Sequence, residues 1–219
     1  MDQYTFHIPP DCDEEVLIVY SDDHVLVVNK PAGLLSVPGR VVKDCVVNRV
    51  AYDFPDAAIV HRLDLDTSGL LVLALSKLAR SELNRQFRER LIGKEYIADV
   101  FGTPVSQKGR IDLPIAPDPD NRPKQLIDHE KGKASVTFYE VLSEQADRAR
   151  LLLKPITGRS HQLRIHLAEI GHPILGCDLY AHPAAFKASS RLHLHASFLQ
   201  FSHPLSKELL AFRDPAPFT

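Results

Sequence analysis

The chain of 219 residues has only three cysteines, Cys12, Cys45 and Cys177, far apart and with no C-x-x-C pair. That spacing excludes a zinc knuckle or a disulfide framework and fits reduced thiols. No apolar run reaches the ~18 residues that a membrane span requires, and Met1 is followed by Asp2, Gln3 and Tyr4 rather than by a basic and then an apolar segment. Neither a membrane span nor a signal peptide is therefore expected, and the expected location is the cytoplasm. Internal repeats and low-complexity tracts are also missing.

Basic charge is absent from one end. Residues 1–23 hold seven acids and no Lys or Arg, so the net charge of -2 hides a body with 26 basic against 21 acidic residues. Residues 1–15 read as an acidic arm and 16–219 as one domain. Within the body, Lys77, Arg80, Arg85, Arg88, Arg90 and Lys94 face only Glu82 and Glu89. Such a cluster is either a solvated helix face or a groove for phosphates.

What is present reads as a mixed α+β fold. "VLIVY" and "HVLVVN" are β-branched runs separated by Ser21, Asp22 and Asp23, the pattern of an antiparallel hairpin. "GLLVLALS" predicts a buried strand. Leu78, Leu83, Phe87 and Leu91 recur at helical spacing, with Ser76 as N-cap and Gly93 placed for a left-handed stop. "YIADVFG", "ASVTFYEVL", "ARLLLKP" and "RLHLHASFLQF" predict further strands. Few helices intervene, so the sheet should be mixed and mainly antiparallel, flanked by helices and long loops. Between Gly102 and Ala134, Pro104, Pro114, Pro117, Pro119 and Pro123 predict a long basic loop with at most one short strand. "TGRSHQLRIHLAEIGHP" reads as a loop entering a short helix, capped by Ser160, with Leu163, Leu167 and Ile170 inward and Gly171 at its end.

One stretch concentrates charge at the lip of that buried strand: "HRLDLDTSG", residues 61–69. If extended, it turns Leu63 and Leu65 to one face and Arg62, Asp64 and Asp66 to the other. A carboxylate held at the rim of a core beside an arginine suits a nucleophile or general base. The same residues also suit a turn closed by an aspartate side chain. Among the histidines, His161, His166 and His172 do not share a helical face, and His193 and His195 lack a carboxylate that completes a recognised ligand set, so no metal site is expected.

"HRLDLDTSG" resembles the H-R-L-D-x-x-T-S-G signature of the RluA family of pseudouridine synthases. "NKPAGLLSVPG" resembles the family's N-K-P-x-G-L segment, "GKEYIADV" its K-x-Y segment and "TGRSHQLRIH" its G-R-x-H-Q-L-R-x-H segment. The four stand in family order over residues 29–166, and "DLPI", "NRPKQ" and "HPILGCDLYA" extend the match. The resemblance implies an enzyme that isomerises uridine to pseudouridine in structured RNA, in a stem-loop of 23S ribosomal RNA or transfer RNA, with no cofactor. It implies that Asp64 is the catalytic aspartate, that Tyr96 stacks on the target base and that Arg164 pairs with the aspartate.

Three expectations follow from the resemblance and the residues together. The base must be flipped out of its stack to meet Asp64, and Arg62 is placed to fill the gap it leaves. Asn29 already belongs to the first motif, which leaves no room for a separate N-terminal RNA-binding domain, so residues 77–94 and the loop 102–133, with Arg122 and Lys124, are expected to embrace the RNA. The enzyme is expected to be a monomer with no obligatory protein partner. Two other readings remain: a non-catalytic RNA-binding module of the same fold, and a nucleosidase using Asp64 with Asp66.

Overall fold

A computed structural model describes residues 11–218. Most of the acidic arm, residues 1–10, lies outside the described residues. Its end is pinned to the domain, because Arg49 donates to the carbonyls of Cys12 and Glu14.

The elements run β1 (Leu17–Ser21), β2 (Val25–Lys30), α1 (Val46–Val50), β3 (Ala58–Ile59), β4 (Ser68–Ala74), α2 (Lys77–Arg88), β5 (Gly93–Phe101) and β6 (Lys108–Asp112). They continue with β7 (Ile115–Pro117), β8 (Gln125–Ile127), β9 (Val136–Glu144), β10 (Arg148–Pro155), α3 (Gln162–Glu169), α4 (Pro183–Lys187), β11 (Leu194–Ser202) and β12 (Leu209–Arg213). One large sheet has the order β1-β2-β4-β11-β5-β10-β9-β6, with β12 on β11 and β3 on β4. Every pairing is antiparallel except β4 with β11, so the sheet is mixed and mainly antiparallel, as the sequence pattern implies.

Strand β4 is apolar without alternation because the sheet is covered on both sides at its centre. Val25, Val27, Leu70 and Val72 pack with Ala79 and Leu83 of α2, whereas Leu26, Val28, Leu71 and Leu73 pack with Val46 and Val50 of α1 and with Leu63. A third cluster joins Ala98, Val100, Leu151 and Leu153 to Leu163 and Leu167 of α3.

Ser76 caps α2 as expected, its hydroxyl accepting from the Ala79 N–H at 3.2 Å. The helix stops earlier than Leu91, and the left-handed residue is Arg90 at φ 61, not Gly93, which begins β5. Leu78 and Leu91 are exposed, and the inward face is Ala79, Leu83 and Gln86. Gln86 is buried because its amide bridges both the N–H and the carbonyl of Ser202. The stretch 102–134 carries three short strands rather than one: β6 joins the main sheet, and β7 and β8 pair with each other. Prolines and charges hide them, and cross-strand partners such as Lys108 with Glu140, 2.9 Å apart, supply what local propensity lacks.

The helix α3 forms as expected, and Gly171 follows it at φ 86. Its N-cap, however, is His161 in the left-handed region with no side-chain cap bond, not Ser160. No described helix is long and apolar enough to cross a membrane.

Candidate active site

The charged motif is a turn leading into β4, not an extended run. The Thr67 N–H donates to the Asp64 carbonyl at 3.2 Å, which breaks the alternation that placed Asp64 and Asp66 on one face. The turn is closed by that carbonyl, so the carboxylate is free to face the cavity it lines.

Both neighbours of Asp64 are bolted to the loop after β2. Ser36 Oγ donates to the Leu63 carbonyl at 2.7 Å and accepts from the Leu63 N–H at 3.1 Å. The Leu65 carbonyl accepts from Lys30 Nζ at 2.8 Å and from the Gly33 N–H at 3.0 Å. Lys30 is fully buried and its ammonium also donates to the carbonyls of Pro31 and Leu34 at 2.8 and 2.6 Å. Burial pulls its pKa down to about 7, against the opposing charge of Asp66, Cys12 and Asp64. Three carbonyls around three protons compensate the buried charge. "NKPAGLLSVPG" therefore braces the Asp64 turn from behind, and none of its residues lines the cavity.

His61 fixes the other end of the motif. Its Nε2 accepts from the Val72 N–H of β4 at 3.1 Å and its ring stacks on Phe87, centroids 4.5 Å apart. Burial, with Lys94 adding, pulls its pKa down to about 3. Because the folded value lies below the unfolded ~6.5, the unfolded chain takes up the proton first as pH falls, and stability is lost from about pH 6.5 downward toward pH 3. A urea titration should show His61 contributing about 2 kcal/mol of lost stability between pH 7 and pH 5. His61→Gln, which accepts from Val72 without titrating, should lose less over that interval; an identical loss in both proteins would reject this role.

The cavity, about 540 Å³, lies between the 60–67 segment, the end of α2, the start of β5 and residues 155–164. Asp64, Tyr96, Arg164 and Arg62 all line it. Asp64 is the one carboxylate among its lining residues, whereas Arg62, Arg88, Arg90, Lys94, Arg159 and Arg164 supply six cationic groups. Tyr96 is placed by β5, opposite Ala196 of β11 and Leu153 of β10. Burial, followed by the nearby Asp64 charge, raises its phenol well above the ordinary range.

Arg164 is buried on α3, but its hydrogen-bonded ion-pair partner is Asp178, and its Nε and Nη2 also approach Cys177 Sγ at 3.4 Å. Burial works against its charge, yet Cys177, Asp64 and Asp178 outweigh that and hold its pKa above the usual value. Asp64 is thus a neighbouring charge of Arg164 and not its direct partner. Arg62 is exposed and makes no ion pair among the described residues. Asp66, the second carboxylate of the nucleosidase reading, does not line the cavity.

From the basic helix region only Arg88, Arg90 and Lys94 reach the site, since Arg85 is held by Glu82 and Glu89. Arg122 and Lys124 do not line it. His193 and His195 are engaged by Asp99 and Asp214, 3.0 and 2.9 Å away, and no group of three potential metal ligands occurs among the described residues.

A family model described as RNA pseudouridylate synthase matches residues 24–169. Over 206 residues the chain is 52% identical to the dual-specificity RNA pseudouridine synthase RluA of Escherichia coli strain K12, which covers 93% of this chain and 94% of that one. The chain belongs to the RluA family of pseudouridine synthases. This synthase is also 48% identical over 212 residues to the RluA of Pasteurella multocida, with 95% and 97% covered. Among solved structures it resembles the human RNA pseudouridylate synthase domain containing 1, with 30% identity, a TM-score of 0.82 and 97% and 88% of the two chains covered. His161 lines the cavity and Asp178 holds Arg164; each stands inside a quoted segment, "TGRSHQLRIH" and "HPILGCDLYA", without being singled out as a site residue there.

Proposed function

We propose that the synthase everts a uridine from a stem-loop of 23S ribosomal RNA or transfer RNA and isomerises it in the cavity, as a monomer in the cytoplasm and with no cofactor or metal. The observation that carries this reading is the single carboxylate, Asp64, set among six cationic side chains. The cations hold the phosphates that flank the target, and the carboxylate meets the sugar or base. The volume suits one nucleotide, with space for the detached ring to turn. The bond from N1 to the sugar breaks, C5 joins the same sugar carbon, and the C5 proton is released.

Tyr96 stacks on the base and Arg62 enters the space it leaves, where a planar guanidinium replaces the lost stacking. Arg164 holds positive charge beside the Asp64 carboxylate, fixed in place by Asp178. Residues 16–219 act as one catalytic domain, and shape and base flipping contribute to recognition alongside the phosphates.

Release of tritium from RNA labelled at uracil C5, with mapping of the product, tests the reaction; a bound but unreacted RNA would mean a binding module, and free uracil a nucleosidase. Tyr96→Phe should keep most of the binding, whereas Tyr96→Leu should weaken it about 5- to 150-fold, the effect of losing about 1–3 kcal/mol of stacking. An unaffected Tyr96→Leu protein would remove stacking from the reading.

A further inference from the structure

His161 lies in the cavity with Asp64 and Tyr96 but has no part in the chemistry assigned so far. Its backbone is left-handed, φ 54, which is uncommon for a residue other than glycine and is held here at the start of α3. The ring does not cap the helix. Instead Nδ1 lies 2.7 Å from the Tyr180 hydroxyl, with the two rings edge to face.

Tyr180 determines which nitrogen carries the proton. Its oxygen already accepts from the Gln125 N–H at 2.8 Å, and burial pushes its pKa up to about 12, so the phenol keeps its own proton. His161 Nδ1, 2.7 Å away, is the acceptor that the described residues offer that proton. Burial also lowers the pKa of His161, against the pull of Asp64, and favours the neutral ring. A neutral imidazole that accepts at Nδ1 carries its hydrogen on Nε2. Nε2 has no hydrogen-bond partner among the described residues and the residue lines the cavity, so this nitrogen is a donor available to what fills it.

We propose that the His161 Nε2–H donates to an exocyclic carbonyl oxygen of the target uracil and stabilises the negative charge the base gains when it leaves the sugar. The proposal rests on the reading of this cavity as the uridine site. When the bond from N1 to C1′ breaks, its electron pair stays with the base and its charge spreads over N1 and the two carbonyl oxygens. A fixed donor at one of those oxygens is stronger in that state than with neutral uridine, which is the condition for lowering the barrier. As C5 attacks C1′, a ring electron pair forms the new bond; the C5 proton is then lost to solvent and N1 takes one up from solvent, so the net change is one proton from C5 to N1, and His161 keeps its own proton throughout. Tyr180 is a positioning residue that fixes the tautomer.

The test compares uridine, 2-thiouridine and 4-thiouridine at the target position of one stem-loop RNA, in single-turnover reactions of the wild-type and His161→Asn proteins. Asn tolerates the left-handed backbone but is too short to place the donor. His161→Asn should react with uridine about 10²-fold more slowly, the usual consequence of losing such a donor, with RNA affinity and melting temperature little changed. Sulfur is a poor acceptor, so one of the two thio-substituted RNAs should slow the wild type more than it slows His161→Asn. Tyr180→Phe should slow the wild type several-fold and leave His161→Asn unchanged. An unaltered His161→Asn rate on uridine, or the same thio effects in both proteins, would overturn the proposal. A wild-type protein unable to convert uridine would instead reject the underlying site.

Discussion

Gly69→Ala is expected to destabilise the synthase by about 3 kcal/mol or more, lowering its melting temperature by roughly 6–12 °C. Two costs add at this position. Its φ of 113 lies where an L side chain is strained, and an added Cβ would stand 2.4 Å from the Ala196 carbonyl oxygen and 2.6 Å from its nitrogen. Those atoms belong to the backbone of β11, paired with β4 through His195 with Ser68 and Ala196 with Gly69. Relief therefore requires parting the one parallel junction of the sheet, and with it the contact of 2.9 Å between Ser68 Oγ and His195 Nδ1. Gly171→Ala is the control. Its φ of 86 imposes the strain, but nothing lies within 4 Å of the added atom, so a loss of about 1 kcal/mol is expected. Equal melting temperatures for the two variants would mean that the close approach of β4 and β11 is not what requires glycine at position 69.

The local parts of the fold were legible in the sequence. The β1–β2 hairpin, the apolar run of β4 and the Ser76 cap each depend on neighbours within a few residues, so periodicity and capping chemistry sufficed. The stop of α2 was misplaced because Arg90, not a glycine, takes the left-handed turn. Of the strands β6, β7 and β8 the composition shows at most one, because their order comes from partners distant in sequence. At the site, the motifs brought Arg62, Asp64, Tyr96 and Arg164 to one cavity. They did not reveal that Asp178 holds Arg164, or that Lys30 and Ser36 brace the backbone around Asp64 from 35 and 27 residues away. Those are contacts between loops, and a sequence pattern carries no period for them. Alternating Leu63, Asp64, Leu65 and Asp66 suit a strand as well as a turn; the segment is the turn, closed by the Asp64 backbone carbonyl and not by an aspartate side chain.

The single-turnover rate of Asp64→Asn, measured with RNA affinity on the same preparation, bears on the chemistry most directly. Asn fills the same space, and the turn survives because its closing bond uses the backbone carbonyl of residue 64. The six cations and Tyr96 remain, so the RNA should bind within a few-fold of wild type and the melting temperature should hold. What disappears is the carboxylate oxygen to which the proposed reaction assigns the chemistry. Loss of a nucleophile or base of this kind lowers rates by roughly 10³-fold or more. The predicted result is therefore tight RNA binding with tritium release at least about 10³-fold slower; an Asp64→Asn protein that releases tritium at the wild-type rate would contradict the account.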